Sequence, residues 1–285
     1  MKRTQQSVLP DGLIRQLQNS IGSKQVSADL LDLSAVAADA SHYLLTPGAL
    51  VRATTADDVA CAMTAARRHK VGLTFRSGGT SLSGQGLTDG IMVDTRRAFR
   101  GIEVLDEGRR VRVQPGATIR AVNTVLARYQ RKLGPDPASS VACTVGGVLA
   151  DNSSGMSCGT IANSYQTLES MVIVLASGTV LDTADPDADD KLCSTEPELV
   201  ETLLRLRETC RRPEHAERIR HLFSMKNTMG YGLNSFLDHD SPSQILSHLM
   251  IGSEGTLGFI ASAVMRTLPV MPQISTALLH FPTLE

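Results

Sequence analysis

A chain of 285 residues with 42% apolar and 20% charged side chains can enclose one large or two ordinary domains around a substantial core, which excludes wholesale disorder. Its 28 Lys and Arg balance 29 Asp and Glu, so no net field draws it to nucleic acid or to an acidic membrane surface. With no Trp and 4% aromatics it lacks a stacking platform for single strands, and no apolar run approaches the roughly 20 residues that span a bilayer.

Lys2 and Arg3 are followed by Thr4, Gln5, Gln6 and Ser7 where a signal peptide needs an apolar run, which predicts a soluble, cytoplasmic chain. Residues 1–34 read as a peripheral helical segment with Leu13, Ile14 and Leu17 at helical spacing. Leu50 to Ala53 reads as a strand, and Thr55 to Asp58 as a capped, acidic helix start. Val59, Met63 and Ala66 continue one face until Arg67, Arg68 and Lys70 load the helix end. Val71 to Phe75 and Ile91 to Val93 are two further strands. This β-α-β opening predicts parallel first strands and a right-handed crossover.

Gly101 to Leu105 and Arg109 to Gln114 then form a hairpin about a Gly turn, closed by Pro115-Gly116. A helix follows with Ile119, Val122, Leu126 and Tyr129 on one face. Met171 to Ala176 and Thr179 to Leu181 make a second hairpin about Ser177-Gly178. Asp182 to Glu198, with Pro186 and Pro197, reads as an acidic surface insertion. Helices over Leu199 to Leu206 and Ala216 to Phe223, interrupted at Pro213, extend that insertion to about residue 225. His215, Glu217 and His221 fall on different helix faces and predict a solvated surface, with no metal site. An α/β unit followed by hairpins gives an α+β class with mixed sheets. The cysteines Cys61, Cys143, Cys158, Cys193 and Cys210 lie far apart without a Cys-x-x-Cys, which predicts reduced, mostly buried thiols.

Four segments carry more Gly, Ser and Thr than a core needs. The first, directly after a predicted strand, is Arg76, Ser77, Gly78, Gly79, Thr80, Ser81, Leu82 and Ser83, running on to Gly84-Gln85-Gly86. Glycines let successive N–H groups converge on an anion, and the hydroxyls add donors. No Gly-Lys-Ser/Thr follows for a P-loop, and the third glycine and helix of a dinucleotide fingerprint are absent. The second segment runs from Gly134 through Asp136, Pro137, Ala138, Ser139 and Ser140 to Thr144, Val145, Gly146 and Gly147. The third is Asp151, Asn152, Ser153, Ser154 and Gly155, closed by Cys158-Gly159. The fourth is Ile251 to Ile260, with Glu254, Gly255, Thr256, Leu257, Gly258 and Phe259 feeding an apolar run. Together they suit a long ligand with several polar groups lying across the domain.

The ordered set, with Val113-Gln-Pro-Gly116 between the first two, resembles the FAD-binding domain of the vanillyl-alcohol oxidase/p-cresol methylhydroxylase family. It is most similar to the glycolate oxidase and D-lactate dehydrogenase branch. Asp39-Ala-Ser-His-Tyr43 and Lys226-Asn-Thr-Met-Gly-Tyr231 resemble the large bacterial D-2-hydroxyglutarate dehydrogenase-like members. The resemblance covers about residues 35–270. It implies a two-subdomain fold, a small β-α-β unit beside a larger mixed or antiparallel sheet flanked by helices. By position, Arg76 to Ser83 resemble the diphosphate loop, Asp136 to Ala142 with Thr144 to Gly147 the segments along the ribityl chain and flavin, and Asn152 to Gly155 the next binding loop. Glu254 to Ile260 resembles the strand entry whose backbone contacts the flavin. For Thr144 to Gly147 close packing of strands is the alternative reading.

The resemblance further implies FAD as cofactor and oxidation of a D-2-hydroxy acid of the D-lactate, glycolate or D-2-hydroxyglutarate class. In the family a cap domain follows and supplies most substrate contacts. Residues 271–285 read as its start, so the chain is expected to be the N-terminal part of something larger. The electron acceptor is not implied, and a site peripheral to the inner membrane is compatible with the full-length protein. No catalytic base is assigned: His42, Tyr165, Tyr231 and His248 are the titratable or hydroxyl candidates, each better suited to core or turn roles. The flavin is expected to be held non-covalently. The place after Gly78-Gly79 where covalent members carry a His is Thr80, and no His or Cys lies between Lys70 and Arg100. Two other readings stay open: another enzyme of this fold, such as an ether-lipid synthase-like flavoprotein, or a flavin-binding module completed by a partner.

Overall fold

A computed structural model describes residues 9–273, 275 and 277–283, so the readings at Lys2 to Ser7 lie outside the described residues. The chain builds two lobes. The first opens with α1 (Leu13–Ile21), β1 (Val26–Ser27), α2 (Leu30–Ser34) and β2 (Ala49–Val51). It continues through α3 (Ala56–His69), β3 (Leu73–Arg76) and β4 (Ile91–Asp94). Thr55 starts α3 with a capping box: its hydroxyl accepts from the Asp58 N–H at 3.1 Å, and the Asp58 carboxylate accepts from the Thr55 N–H at 3.1 Å. The sheet order is β1-β2-β4-β3. The strands β2 and β3 both run parallel to β4, which lies between them, so the β-α-β pair is parallel but not adjacent. All four residues of β4 are buried, as a central strand covered on both faces requires.

The N-terminal helix is not peripheral. Leu13 and Leu17 are fully buried and pack with Val59, Ala62, Ile91 and Val93 in the first-lobe core, while Ile14 lies only partly buried beside them. Its apolar residues recur at i and i+4, which is a face, and α3 supplies the complementary one.

The second lobe contains β5 (Ile102–Leu105), β6 (Arg110–Val113), α4 (Ile119–Leu126), β7 (Arg131–Lys132), α5 (Val145–Asp151) and α6 (Ser164–Thr167). It continues with β8 (Leu168–Val174), β9 (Val180–Asp182), α7 (Ala188–Thr195), α8 (Pro197–Cys210), α9 (Pro213–Phe223), α10 (Ser235–Asp238) and α11 (Pro242–Met250). The last strands are β10 (Phe259–Arg266) and β11 (Leu268–Pro269). An antiparallel sheet of order β5-β6-β10-β8-β9 is its centre, and both predicted hairpins are present. Mixed helices and sheets in two lobes are the α+β class expected.

Three sequence readings are corrected here. The acidic stretch after Asp182 is not wholly at the surface, because α7 buries Ala188 and Leu192 in the larger core and the Asp189 carboxylate accepts from the Ser243 N–H at 2.8 Å. Acidic residues dominate only its outer face. Tyr129 lies beyond α4 in a short 3₁₀ turn and is 45% exposed, so it does not continue the Ile119, Val122, Leu126 face. Of the five cysteines only Cys143 and Cys158 are buried; Cys61 and Cys193 are exposed. Residues 271–285 hold no helix or strand among those described.

The lobes meet through β10. Phe259 and Ala261 pack into the first-lobe core, whereas Ile260, Ala263 and Met265 pack into the second. Strict alternation cannot give that set. A bulge supplies the missing residue: Ile260 pairs with Ile173 and Ser262 with Val172, leaving Ala261 unpaired and re-phasing the strand.

Candidate active site cleft

At this junction lies a cleft of about 650 Å³, inside the size range of small-molecule and cofactor sites. Its walls come from β3, the loop after it, the segment leading into α5, the residues after α5, and the turn before β10. Phe75 and Phe259 line it and touch at 5.0 Å between ring centroids, with Phe99 behind Phe259 at 5.3 Å. One end of the cleft is thus apolar.

The glycine loop forms another wall, with Ser77, Gly79, Thr80, Ser81, Leu82 and Ser83 lining the cavity. Among the described residues the N–H groups of Gly78 through Leu82 donate to no protein acceptor. Five successive free amides with a glycine at φ +68° form a receptor for an anion. Gly78 has no room for a side chain: a Cβ would stand 2.4 Å from the Ala142 carbonyl oxygen and 2.9 Å from Cys143 Cα. The Ser77 and Thr144 hydroxyls, 2.6 Å apart, tie the same loop to the start of α5.

Arg76 does not line the cleft. Its side chain is buried behind the loop, where Nη2 donates to the Ala38 carbonyl at 2.6 Å and Nη1 to that of Gly86 at 3.3 Å. A Cβ on Gly79 would lie 2.5 Å from Nη2, so the guanidinium is the floor on which the loop rests. Burial and the nearby Arg96 pull its pKa down, against the pull of Asp39 and Asp94, yet a guanidinium stays charged. Its cation therefore sits beneath the free amides, and its Nε, buried without a partner, keeps donor capacity.

The segments after Gly134 divide. Ser139, Gly146 and Gly147 line the cleft, whereas Asp136, Pro137, Ala138, Ser140, Thr144 and Val145 stand behind it. The paired glycines lie in the first turn of a helix, which removes the reading of two packed strands. Gly146 rests on Pro115 and Gly147 on Ser77, each at a Cβ distance under 3.0 Å. In the third segment Ser153 lines the cleft, and Asn152, Ser154 and Gly155 support it: Asp136 N–H donates to the Ser154 carbonyl at 3.1 Å, and Gly155 lies against the Asp136 carbonyl. In the fourth, all of Glu254 to Ile260 except Leu257 line it.

Three titratable side chains line the cleft: Cys143, Asp151 and Glu254. The Glu254 N–H donates to the Ala150 carbonyl at 2.9 Å, which brings the turn against the end of α5. Partial burial, then the hydrogen bond to Asp151 and its charge, raise Glu254 to about 7. Gln85 of the glycine loop reaches Glu254 Oε1 at 3.5 Å, so three binding segments converge on one carboxyl pair. Burial raises the Cys143 thiol and makes it a weak nucleophile.

None of the four base candidates lines the cleft. His42 is exposed. Tyr165 is buried, its hydroxyl donating to Asp238 at 2.7 Å and its ring packed edge-on against His248 at 4.9 Å. Burial, reinforced by His239, lowers His248 to about 4. Tyr231 bonds through its hydroxyl to the Thr256 hydroxyl at 2.6 Å, and Lys226 Nζ donates to the Gly155 carbonyl at 2.6 Å, so the 226–231 segment braces the rim. Sequence reasoning missed Leu73, Thr74 and Phe75 on β3, and Thr95, Cys143, Val148, Ala150 and Asp151. Of the further lining residues, Gln85, Gly86, Pro115, Asp151 and Ser253 stand within the quoted motifs, which was their signal.

Among the described residues no three His, Cys, Asp or Glu side chains converge as a metal site, and no helix is long and apolar enough to cross a membrane.

Residues 47–184 match the family described as the FAD binding domain. The chain is 33% identical over 262 residues to a D-2-hydroxyglutarate dehydrogenase of Pseudomonas putida, covering 89% of this chain and 26% of that protein. It is 32% identical over 120 residues to the glycolate oxidase subunit GlcD of Escherichia coli, covering 41% of this chain and 24% of that one. Among solved structures, an alkyldihydroxyacetonephosphate synthase superposes with a TM-score of 0.64 at 18% identity, covering 95% of this chain and 42% of that chain. The chain therefore spans about a quarter of the length of these sequence relatives.

Proposed function

We propose that this chain, whose residues 47–184 match the FAD binding domain and which is similar to D-2-hydroxyglutarate dehydrogenases and a glycolate oxidase subunit, is the FAD-holding part, of the vanillyl-alcohol oxidase/p-cresol methylhydroxylase type, of a dehydrogenase that oxidises a D-2-hydroxy acid. The observation that carries the reading is the run of unpartnered amides from Gly78 to Leu82 above the buried Arg76 cation. A diphosphate dianion matches that donor set in charge and spacing.

The other walls divide the remaining work. Phe75 and Phe259 offer an apolar face of the size a fused ring needs, and the Glu254 to Ile260 turn offers fixed backbone groups at its edge. Arg76 contributes long-range field from behind the loop; it is not itself a ligand. Asp136 to Ala138, Ser140, Thr144, Val145, Asn152, Ser154 and Gly155 hold the lining residues in place. A flavin held by these residues would supply the two-electron acceptor for the hydride that leaves the hydroxyl-bearing carbon. Burial and the neighbouring Asp151 raise Glu254 to about 7, which lowers the negative charge that its carboxyl brings beside an anionic cofactor.

Cys143 has a raised pKa, and the glycine loop carries Thr80 with no His or Cys between Lys70 and Arg100, which supports non-covalent retention of the flavin. The base that takes the substrate hydroxyl proton, and the contacts that select the hydroxy acid, belong to the remainder of a longer protein. This assignment accounts for a cleft whose titratable side chains are two carboxyls and one thiol. The protein so completed is cytoplasmic or peripheral to the inner membrane in this reading, with a small-molecule substrate and no nucleic acid. Dye reduction by a panel of D-2-hydroxy acids, run on the full-length protein, tests it. Reduction by D-2-hydroxyglutarate, D-lactate or glycolate supports it, and indifference to all of them overturns it.

A further inference from the structure

At the opposite end of β10 from the cleft, the sheet carries a second cavity of about 400 Å³ lined by Arg109, Arg110, Arg131 and Arg266. Phe259 begins β10 and Arg266 ends it, so the two sites are about 20 Å apart along the strand. Arg110 and Arg266 are directly opposed in register on neighbouring antiparallel strands. Like charges in that position repel and destabilise a sheet.

The local carboxylates answer only part of this. Arg110 pairs with Asp106, and with Glu169 at 3.2 Å. Arg131 is held by Thr267, donating from Nε to its hydroxyl at 2.6 Å and from Nη2 to its carbonyl at 2.7 Å. Arg266 donates from Nη2 to the Gln166 carbonyl. Arg109 is exposed, and its side chain enters no hydrogen bond or ion pair among the described residues. Four guanidiniums face two carboxylates, an excess of two positive charges around one cavity.

We propose that this cavity is a binding site for a small polyanion, a molecule bearing two or more phosphate or carboxylate charges. A guanidinium presents paired N–H donors in a plane, the geometry that carboxylates and phosphates accept bidentately. Arg131 and Arg110 are already fixed by their neighbours, so the site is partly organised before the ligand arrives. The volume exceeds that of a single phosphate and suits a diphosphate or a tricarboxylate. The inference is independent of the flavin reading, since none of these side chains touches the cleft.

The test is calorimetric titration of the FAD-saturated chain with pyrophosphate and, separately, with citrate, so that the cleft cannot supply the binding. One equivalent of either probe should bind, with affinity falling as salt rises, and the tighter probe identifies phosphate or carboxylate as the favoured chemistry. R109Q/R266Q should weaken that probe at least tenfold and leave FAD affinity unchanged. Should the double variant lose its fold, R109Q alone removes a side chain with no internal partner and should weaken binding about threefold or more. Absence of binding by both probes, or equal binding to folded wild type and variant, overturns the proposal.

Discussion

Gly78→Ala introduces one methyl group at the tightest point of the glycine loop. Its Cβ would stand 2.4 Å from the Ala142 carbonyl oxygen and 2.9 Å from Cys143 Cα, both backbone atoms that no rotamer change can move. Cβ atoms essentially never come within 3.0 Å of such neighbours, so the loop must draw back by roughly 0.6 Å. Overpacking of this kind costs about 1–3 kcal/mol of stability. The shift also displaces the free amides of Gly78 to Leu82 from the position where they meet an anion. A charge-assisted hydrogen bond is worth about 1.5–3 kcal/mol, so misaligning one of them should weaken FAD about 30-fold. Gly159→Ala is the control. That residue has positive φ, as Gly78 does not, but a Cβ there meets nothing within 4 Å, so the change should cost about 1 kcal/mol of stability and leave FAD affinity intact. Fluorescence titration of FAD, beside urea unfolding of the apo chains, separates the two effects. A folded Gly78→Ala chain that binds FAD as tightly as wild type would refute the placement of the diphosphate.

Phe259→Ala removes a ring buried between Phe75 and Phe99 where the lobes meet, and should cost about 3–5 kcal/mol in chemical denaturation while also weakening FAD. Glu254→Gln should flatten part of the pH dependence of stability. The folded chain keeps that proton to about pH 7 whereas the unfolded chain releases it near 4.5, so wild-type stability falls across that window and the variant's should fall less; superimposable profiles would contradict the raised Glu254. Because Glu254 stands partly in solvent, screening keeps the difference small. Acid precipitation of the FAD-loaded chain should release all the yellow colour, and a fluorescent flavin band on a denaturing gel would point to a covalent tether. Loaded with FAD, this chain alone should reduce its flavin with D-lactate or D-2-hydroxyglutarate far more slowly than an intact relative, because substrate positioning contributes several kcal/mol to catalysis.

The parts of the fold that were legible are those set by local chemistry. Thr55 and Asp58 announce a helix start by their spacing, and Gly108 and Gly178 announce hairpin turns that only positive φ can close. What the sequence does not show is long-range. The insertion of β4 between β2 and β3, and the burial of α1 against α3, depend on partners far along the chain. The bulge at Ala261 leaves no compositional trace, because Ile-Ala-Ser reads equally well in a regular strand.

The cleft divides the same way. Glycine-rich loops mark themselves by composition, so the lining from Gly79 to Ser83 and from Glu254 to Ile260, Leu257 apart, was readable. Arg76 stands in the loop motif but faces backward, since adjacent residues of a strand end point to opposite sides and the buried side holds the Ala38 and Gly86 carbonyls. Phe75 and Asp151 reach the cleft from regular elements whose sequences look like ordinary core and helix end.

The central claim is that the whole cleft, from the Gly78 to Leu82 amides to the Phe75 and Phe259 wall, holds a flavin dinucleotide. Equilibrium titration of the apo chain with FAD and with FMN, followed by flavin fluorescence, tests it directly. The account predicts one equivalent of FAD bound and FMN bound at least tenfold more weakly, because FMN lacks the adenosine half and the diphosphate that the loop amides receive. Equal affinity for the two, or no binding of FAD by a folded chain, would contradict it.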